Sequence, residues 1–285
     1  MAFLLALFVA SCSTQVSESS GPGAGEQPGD PTGTGSTPVA EDPRVVPVYP
    51  VEILATHSHD RGSYTQGLVF VDGHLFESTG RRGKSKVRKW LPETGQVVLD
   101  HDLAYNLFGE GLAAYKGVLV QLTWESGQAI VYDRRSLAEV NRFSYEGEGW
   151  GLTFDGEHMI MSNGSNVLIY RDPMTFEEVR RLSVTFWRSD LGRYVDLYDL
   201  NELEYIDGEI WANVYQDERI VRIDPESGKV NSIVDLTGFQ SKQGVQDPRQ
   251  DVLNGIAHDA EGGRLYVTGK HWPNLYQIRV LDGSD

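Results

Sequence analysis

Hydrophobic and polar positions alternate along this chain in short runs, and the runs come in pairs. The stretch Leu107 to Trp124, LFGEGLAAYKGVLVQLTW, shows the unit: Glu110 between two glycines, an apolar run, a turn at Lys116-Gly117, the run VLVQLT and a closing Trp124. Four more stretches fit it: QGLVFVDGHLFESTG from Gln66, WGLTFDGEHMIMSNG from Trp150, NELEYIDGEIWANVY from Asn201 and NGIAHDAEGGRLYVTGK from Asn254. Alternation broken by pairs such as Asp72-Gly73, Asp155-Gly156 and Asp207-Gly208 predicts antiparallel hairpins. Further strand-like runs follow each hairpin, for example AIVYDRRSLAEVNRFSY, with Asp-Pro, Glu-Thr-Gly or Glu-Ser-Gly as turn signals in three of them.

The units start at residues 66, 110, 150, 201 and 254. That spacing lies in the range where supersecondary repeats stack into propellers or solenoids. Four strands per repeat, five repeats and no long amphipathic helix predict an all-β, five-bladed β-propeller. A β-solenoid is the alternative, but its coils are shorter than these repeats. After the fifth unit only NLYQIRVL remains, one strand short, so VEILAT (51 to 56) is predicted to complete the last blade and close the ring. The propeller domain is read as residues 45–285.

The preceding segment differs in composition. Residues 1–12, MAFLLALFVASC, are apolar and too short to span a bilayer, which predicts a secretory signal. Val9-Ala10-Ser11-Cys12 fits a lipoprotein cleavage pattern with Cys12 as the lipid anchor. Cys12 is the single cysteine, which excludes an internal disulfide. Residues 13–44, rich in Ser, Gly, Thr and Pro, read as a flexible tether. The expectation is an exported bacterial lipoprotein on the periplasmic or surface side of a membrane, touching it only through Cys12. A net charge of -16 over 285 residues argues against a nucleic-acid partner. A propeller hides its sheet edges by itself, so a monomer is expected.

In a propeller, equivalent repeat positions gather at one mouth. The first-strand set is Gln66, Glu110, Trp150, Asn201 and Asn254; the second-strand ends are Gly80, Trp124, Gly164, Tyr215 and Lys270. One carboxylate, one ammonium, three carboxamides and three large aromatics suit a small-ligand site. Each also has a plainer use. Trp124 and Trp150 could pack between blades, Asn201 and Asn254 could cap turns, and Lys270 could end a strand in solvent. Glu110 is harder to explain so, because a carboxylate among Leu107, Phe108 and Leu112 is costly to bury idly. Thr268-Gly269-Lys270 lacks the upstream glycine of a phosphate loop. His57-Ser58-His59-Asp60 lacks further ligands at a familiar spacing, so neither a metal nor another cofactor is expected.

The blocks YTQGL, LFESTG, LFGEGL, QLTW, EGWGLT, LNELEY, ANVY, LNGIA and VTGKHWP, in this order over about residues 45–280, resemble the plant and bacterial type of glutaminyl-peptide cyclotransferase. The resemblance implies a five-bladed propeller, acting as an acyltransferase, that converts the N-terminal glutamine of peptides or proteins to pyroglutamate with loss of ammonia and without a catalytic metal. It places the family's acidic catalytic residue on Glu110, and its pocket residues on Gln66, Trp124, Trp150, Asn201 and Lys270. Tyr64 and Tyr215 stand where the family has Phe and Trp, which bears on pocket width. The segment FWRSDLGRYVDLYD lacks the family's short turn. In the chemistry this implies, Glu110 takes a proton from the α-amine and returns it to the leaving nitrogen. Lys270, with Gln66 or Asn201, would stabilise the oxyanion. The expected set is therefore Glu110 and Lys270 as catalytic residues, with Gln66, Trp124, Trp150, Asn201, Tyr64, Tyr215 and Asn254 holding substrate. The alternatives are a non-catalytic propeller binding peptide or sugar at the same mouth, and a metal-dependent lactonase-type propeller. The latter would need a ring of axial carboxylates, and only Glu110 among the first-strand positions is acidic.

Overall fold

The computed structural model describes residues 45–283. The signal segment ending at Cys12 and the tether 13–44 lie outside the described residues. Hairpins follow the turn chemistry. Asp72-Gly73, Lys116-Gly117 and Asp207-Gly208 each place both central residues at positive φ, the conformation that two-residue hairpin turns require. Asp155-Gly156 differs, with only its glycine there (φ 100°).

The hairpins build four-stranded antiparallel sheets. The first is β2 (Thr65–Val71), β3 (His74–Thr79), β4 (Lys86–Trp90) and β5 (Val97–Asp102); the second is β6 (Gly109–Tyr115), β7 (Val118–Thr123), β8 (Gln128–Asp133) and β9 (Glu139–Ser144). The third is β10 (Leu152–Phe154), β11 (Met159–Met161), β12 (Val167–Arg171) and β13 (Glu178–Ser183). An eight-stranded sheet joins β16 (Leu200–Ile206), β17 (Glu209–Val214), β18 (Arg219–Ile223) and β19 (Val230–Asp235) through β1 (Val48–Ser58) to β22 (Asn274–Val280), β21 (Arg264–Gly269) and β20 (Leu253–Asp259). Among the described residues the only helix is a 3-10 turn at Gln240–Lys242.

The strand expected to close the chain is present and longer than VEILAT. β1 pairs antiparallel with β22 from Val51↔Val280 to Ser58↔Asn274, and its start, Val48 to Pro50, runs parallel to Ile233 to Asp235 of β19. An element absent from the sequence reading is the hairpin β14 (Thr185–Arg188) and β15 (Arg193–Asp196), built from FWRSDLGRYVDLYD. Alternation there is too short to separate from a loop.

In the four-stranded sheets burial falls from the first strand to the last; in the eight-stranded sheet both edge strands, β16 and β20, are buried and the central β1 is the most exposed. β2, β6, β16 and β20 are buried on both faces over most of their length, whereas β5 and β9 are mostly exposed and charged. The first strands touch in a cycle: β2 meets β6, β6 meets β10, β10 meets β16, β16 meets β20, and β20 returns to β2. Apolar clusters fill the gaps between adjacent sheets. Leu68, Leu75 and Trp90 pack on Ala257, Tyr266 and Leu275, while Leu122 and Val131 pack on Leu152 and Met161. The core is thus divided among inter-sheet seams, and no single layer carries it.

Glycine lets the inner strands meet. A Cβ on Gly111 would lie 2.4 Å from the Leu152 nitrogen, and one on Gly151 would lie 1.9 Å from the Asn201 carbonyl. In four repeats a glycine follows the first-strand residue, as in Glu110-Gly111. In the fourth, Asn201 is followed by Glu202. Its carboxylate accepts from the Leu68 N–H at 3.2 Å and the Ile256 N–H at 2.9 Å, joining β16 to β2 and β20. Glu204 accepts from the His258 N–H at 3.0 Å, and burial pushes its carboxyl up to about 8. The axis therefore holds more acid than the first-strand positions alone suggest.

Candidate functional site

A backbone irregularity aims the repeat residues. The antiparallel register shifts between Thr65 and Gly67, between Gly109 and Leu112, between Leu200 and Leu203, and between Leu253 and Ile256. A bulge frees residues from the ladder and turns their side chains. The residues freed are Gln66, Glu110, Asn201 and Asn254, four of the five first-strand positions.

Three of these four, with Trp150, open on a cavity of about 790 Å³, whose wall also includes Tyr64, Trp124, Tyr215 and Lys270. Asn254 differs from expectation. It is fully buried and sits behind the wall, where its Nδ2 donates to the Thr65 carbonyl at 3.0 Å and to Gln66 Oε1 at 3.3 Å. Gln66 passes this on, with Nε2 donating to Glu110 Oε1 at 2.9 Å. Asn254 therefore orients the Gln66 amide, and Gln66 spends an N–H on Glu110.

Glu110 is 4 % exposed, and burial holds its carboxyl well above the usual carboxylate range; Lys270 pulls it back in part and Glu148 adds to the rise. Lys270 is 2 % exposed. Burial brings its ammonium down to about 8, with Glu110 opposing the fall and Arg81 assisting it. Its Nζ lies 4.9 Å from the ring centre of Tyr64 and 5.1 Å from that of Tyr215, so two aromatic faces hold the cation. A buried acid and a buried base are thus both shifted toward neutrality in one cavity, which suits proton transfer near neutral pH.

Trp124 Nε1 and Trp150 Nε1 donate to the same oxygen, Glu148 Oε2, at 2.7 Å and 2.9 Å. One carboxylate therefore sets the angle of both indoles. Trp150 meets Tyr215 edge-on at 6.0 Å. Gly80 and Gly164, at second-strand ends, leave room for rings: a Cβ there would come within 2.3 Å of Phe108 and 2.7 Å of Trp150. Asn201 Oδ1 is buried without a hydrogen-bond partner, while its backbone carbonyl accepts from Ser162 Oγ at 2.7 Å. That leaves an unspent acceptor for an amide or ammonium donor.

Sequence reasoning missed the rest of the wall: Arg81, Arg82, Phe108, Asp247 and Gln250. Phe108 and Glu148 lie inside the blocks LFGEGL and EGWGLT, and flanking residues of a repeat position could have pointed to them. Asp247 and Gln250 lie on the β19–β20 connection, outside the repeated unit. Tyr64 OH donates to Gln250 Oε1 at 2.8 Å and Tyr215 OH to the Arg249 carbonyl at 3.3 Å, so the wall tyrosines tie that connection down. The Tyr64 hydroxyl thus makes a hydrogen bond that phenylalanine could not.

His59 and Asp60 serve elsewhere. His59 Nε2 meets Glu77 Oε1 at 3.1 Å and its Nδ1 meets the Trp272 carbonyl at 2.7 Å. Asp60 pairs with Arg88 at 2.7 Å. Among the described residues no three His, Cys, Asp or Glu side chains converge as a metal-ligand set.

A family model described as glutamine cyclotransferase matches residues 31–280. An Arabidopsis thaliana protein named glutaminyl-peptide cyclotransferase is 40% identical over 239 residues, which is 82% of this chain and 72% of that protein. The crystal structure of Myxococcus xanthus glutaminyl cyclase is similar at a TM-score of 0.75 and 34% identity, covering 83% of this chain and 98% of its own.

Proposed function

The chain belongs to the glutamine cyclotransferase family and is an enzyme of that type; from this premise we propose that it closes N-terminal glutamine to pyroglutamate with release of ammonia, Glu110 moving the proton. The observation that carries the reading is a buried carboxylate that accepts a hydrogen bond from Gln66 and faces a cavity it shares with a buried ammonium.

The substrate brings its own nucleophile. The α-nitrogen attacks the side-chain amide carbon of the same residue, so the wall has only to hold the cyclising conformer, a task for Trp124 and Trp150. An α-ammonium with a pKa of about 8 must first lose a proton. That proton goes to solvent, the neutral amine attacks, and as the N–C bond forms Glu110 takes a second proton from the same nitrogen while the amide oxygen becomes an oxyanion beside Lys270. Collapse breaks the bond to the side-chain nitrogen, which receives the proton back from Glu110 and leaves as ammonia. A carboxyl raised by burial does both jobs near neutral pH, where an ordinary one would be a poor acid. Gln66 acts through Glu110, which leaves Asn201 as the carboxamide beside the reacting amide. With Lys270 as the electrophilic partner, the sequence of steps calls on no metal ion.

The same reading takes the cycle of first strands as a five-bladed propeller, in which β1 supplies the missing strand of the last blade. The contact of β20 with β2 and the pairing of β1 with β22 support it. Export, and a lipid anchor at Cys12 ahead of a tether, rest on the sequence alone; Cys12→Ser should move the protein from the membrane to the soluble fraction. Incubation with glutaminyl-alanine tests the activity. Ammonia and pyroglutamate should appear in equal amounts, unchanged by a chelator, and absence of both products would reject the cyclase.

A further inference from the structure

The cavity has cations at two levels. Lys270 lies at the buried end, and Arg81 and Arg82 lie exposed on the turn after β3. Arg82 has a carboxylate partner, Glu125, at 2.7 Å. Arg81 makes no ion pair among the described residues. Its guanidinium carbon lies 4.6 Å from the ring centre of Tyr64, the same ring that holds the Lys270 ammonium at 4.9 Å. The backbone keeps it there. Arg81 sits at φ 84°, a strained value for any residue with a Cβ, and its carbonyl accepts from the Lys84 N–H and Ser85 Oγ, both at 2.9 Å.

A peptide whose N-terminal glutamine reaches Glu110 has its following residues in or at the mouth of the same cavity, whose exposed wall includes Arg81. Building on the cyclase reading, we propose that Arg81 makes the enzyme selective for glutamine peptides carrying a carboxylate directly after the glutamine. That carboxylate is either an Asp or Glu side chain or the free terminus of a dipeptide. Arg82 adds less, because Glu125 already balances it. Asp247, the acidic member of the wall, has its Oδ1 turned to the Arg249 N–H at 3.0 Å and limits the preference.

The test compares KM for Gln-Glu-Ala-amide, Gln-Ala-Ala-amide and Gln-Lys-Ala-amide, with Gln-Ala against Gln-Ala-amide to separate a side-chain carboxylate from a terminal one. Wild type should bind the glutamate peptide with a KM about five-fold below the lysine peptide, and added salt should narrow the gap. Arg81→Asn suits the same backbone angle. It should raise KM for the glutamate peptide and lower it for the lysine peptide, a crossing that general damage to the fold would not produce, and Arg81→Lys should restore the order. Equal wild-type KM values, or a gap that survives Arg81→Asn, would overturn the inference while leaving the cyclase reading intact. If no peptide is cyclised at all, the cyclase reading falls and this inference falls with it.

Discussion

Two buried acid–base pairs lie in this protein, and they are shifted in opposite directions. His59 and Glu77 form one. Both imidazole nitrogens of His59 face acceptors, Glu77 and the Trp272 carbonyl, which calls for the doubly protonated ring. Glu77 also receives Thr65 Oγ1 at 2.8 Å and Ser63 Oγ at 3.2 Å. Burial opposes both charges, yet the partners outweigh it: His59 is raised and Glu77 lowered, each toward its charged form. Glu110 and Lys270 form the other pair. There burial wins, Glu110 is raised and Lys270 lowered, each toward neutrality. Equal burial thus yields a charged clamp or a pair shifted toward neutrality, according to how many hydrogen bonds each charge receives.

The difference has a spatial logic. The clamp ties the segment following Lys270, through the Trp272 carbonyl, to the start of β2, where Thr65 precedes Gln66. The satisfied pair therefore fixes the two backbones from which Lys270 and Gln66, the hydrogen-bond donor to Glu110, project. On the proposed function, stability is placed in one and proton transfer in the other.

The strongest way to break the comparison is Glu110→Gln. Turnover should fall about 10³-fold, with circular dichroism and the thermal transition kept; retained turnover would show that the under-partnered carboxylate is not the proton carrier. Next is Glu77→Gln, which leaves the buried imidazolium without its anion. It should cost about 3 kcal/mol, seen as a melting temperature lower by about 10 °C, with a far smaller loss of kcat below the transition. A loss of kcat matching that of Glu110→Gln would merge the two roles.

The pH dependence of stability sharpens the contrast. The raised His59 contributes fully below the ordinary value of about 6.5, and its contribution is lost as pH rises through its folded value. The lowered Glu77 contributes above the ordinary carboxylate value and is lost as pH falls through its folded value. Glu110 has the other sign: the folded state holds its proton more tightly, so stability declines as pH climbs from the ordinary carboxylate value to the raised one. Lys270 likewise costs stability below about 8 and is relieved above it. The smallest effect follows. Glu110→Gln should be more stable than wild type by about 1 kcal/mol at pH 8, measured by denaturant melts, because a charge that burial disfavours has been removed.

Much of the site was legible because the chain repeats its own pattern. Matching Glu110 to Gln66, Trp150 and Asn201 by repeat position brought four wall residues together without coordinates, and the second-strand ends added Trp124, Tyr215 and Lys270. The method failed wherever the repeat stops. Arg81 and Arg82 follow the repeat's end in a turn, and Asp247 and Gln250 belong to the long β19–β20 connection, outside the repeated unit. Asn254 shows the opposite error. It holds the repeat position, yet the chain around it is packed so that its amide reaches Gln66 and not the cavity.

The sequence by itself determined the hairpins of the five repeats, the need for an N-terminal strand beside the last one, and the residue types offered at each repeat. Alternation and turn chemistry are local, acting between near neighbours in the chain. Only the tertiary structure decided which offered side chains meet, because that depends on bulges, on glycines that let strands from distant repeats touch, and on how fully each buried charge is hydrogen-bonded. These are relations between segments far apart in sequence, and no short-range pattern encodes them.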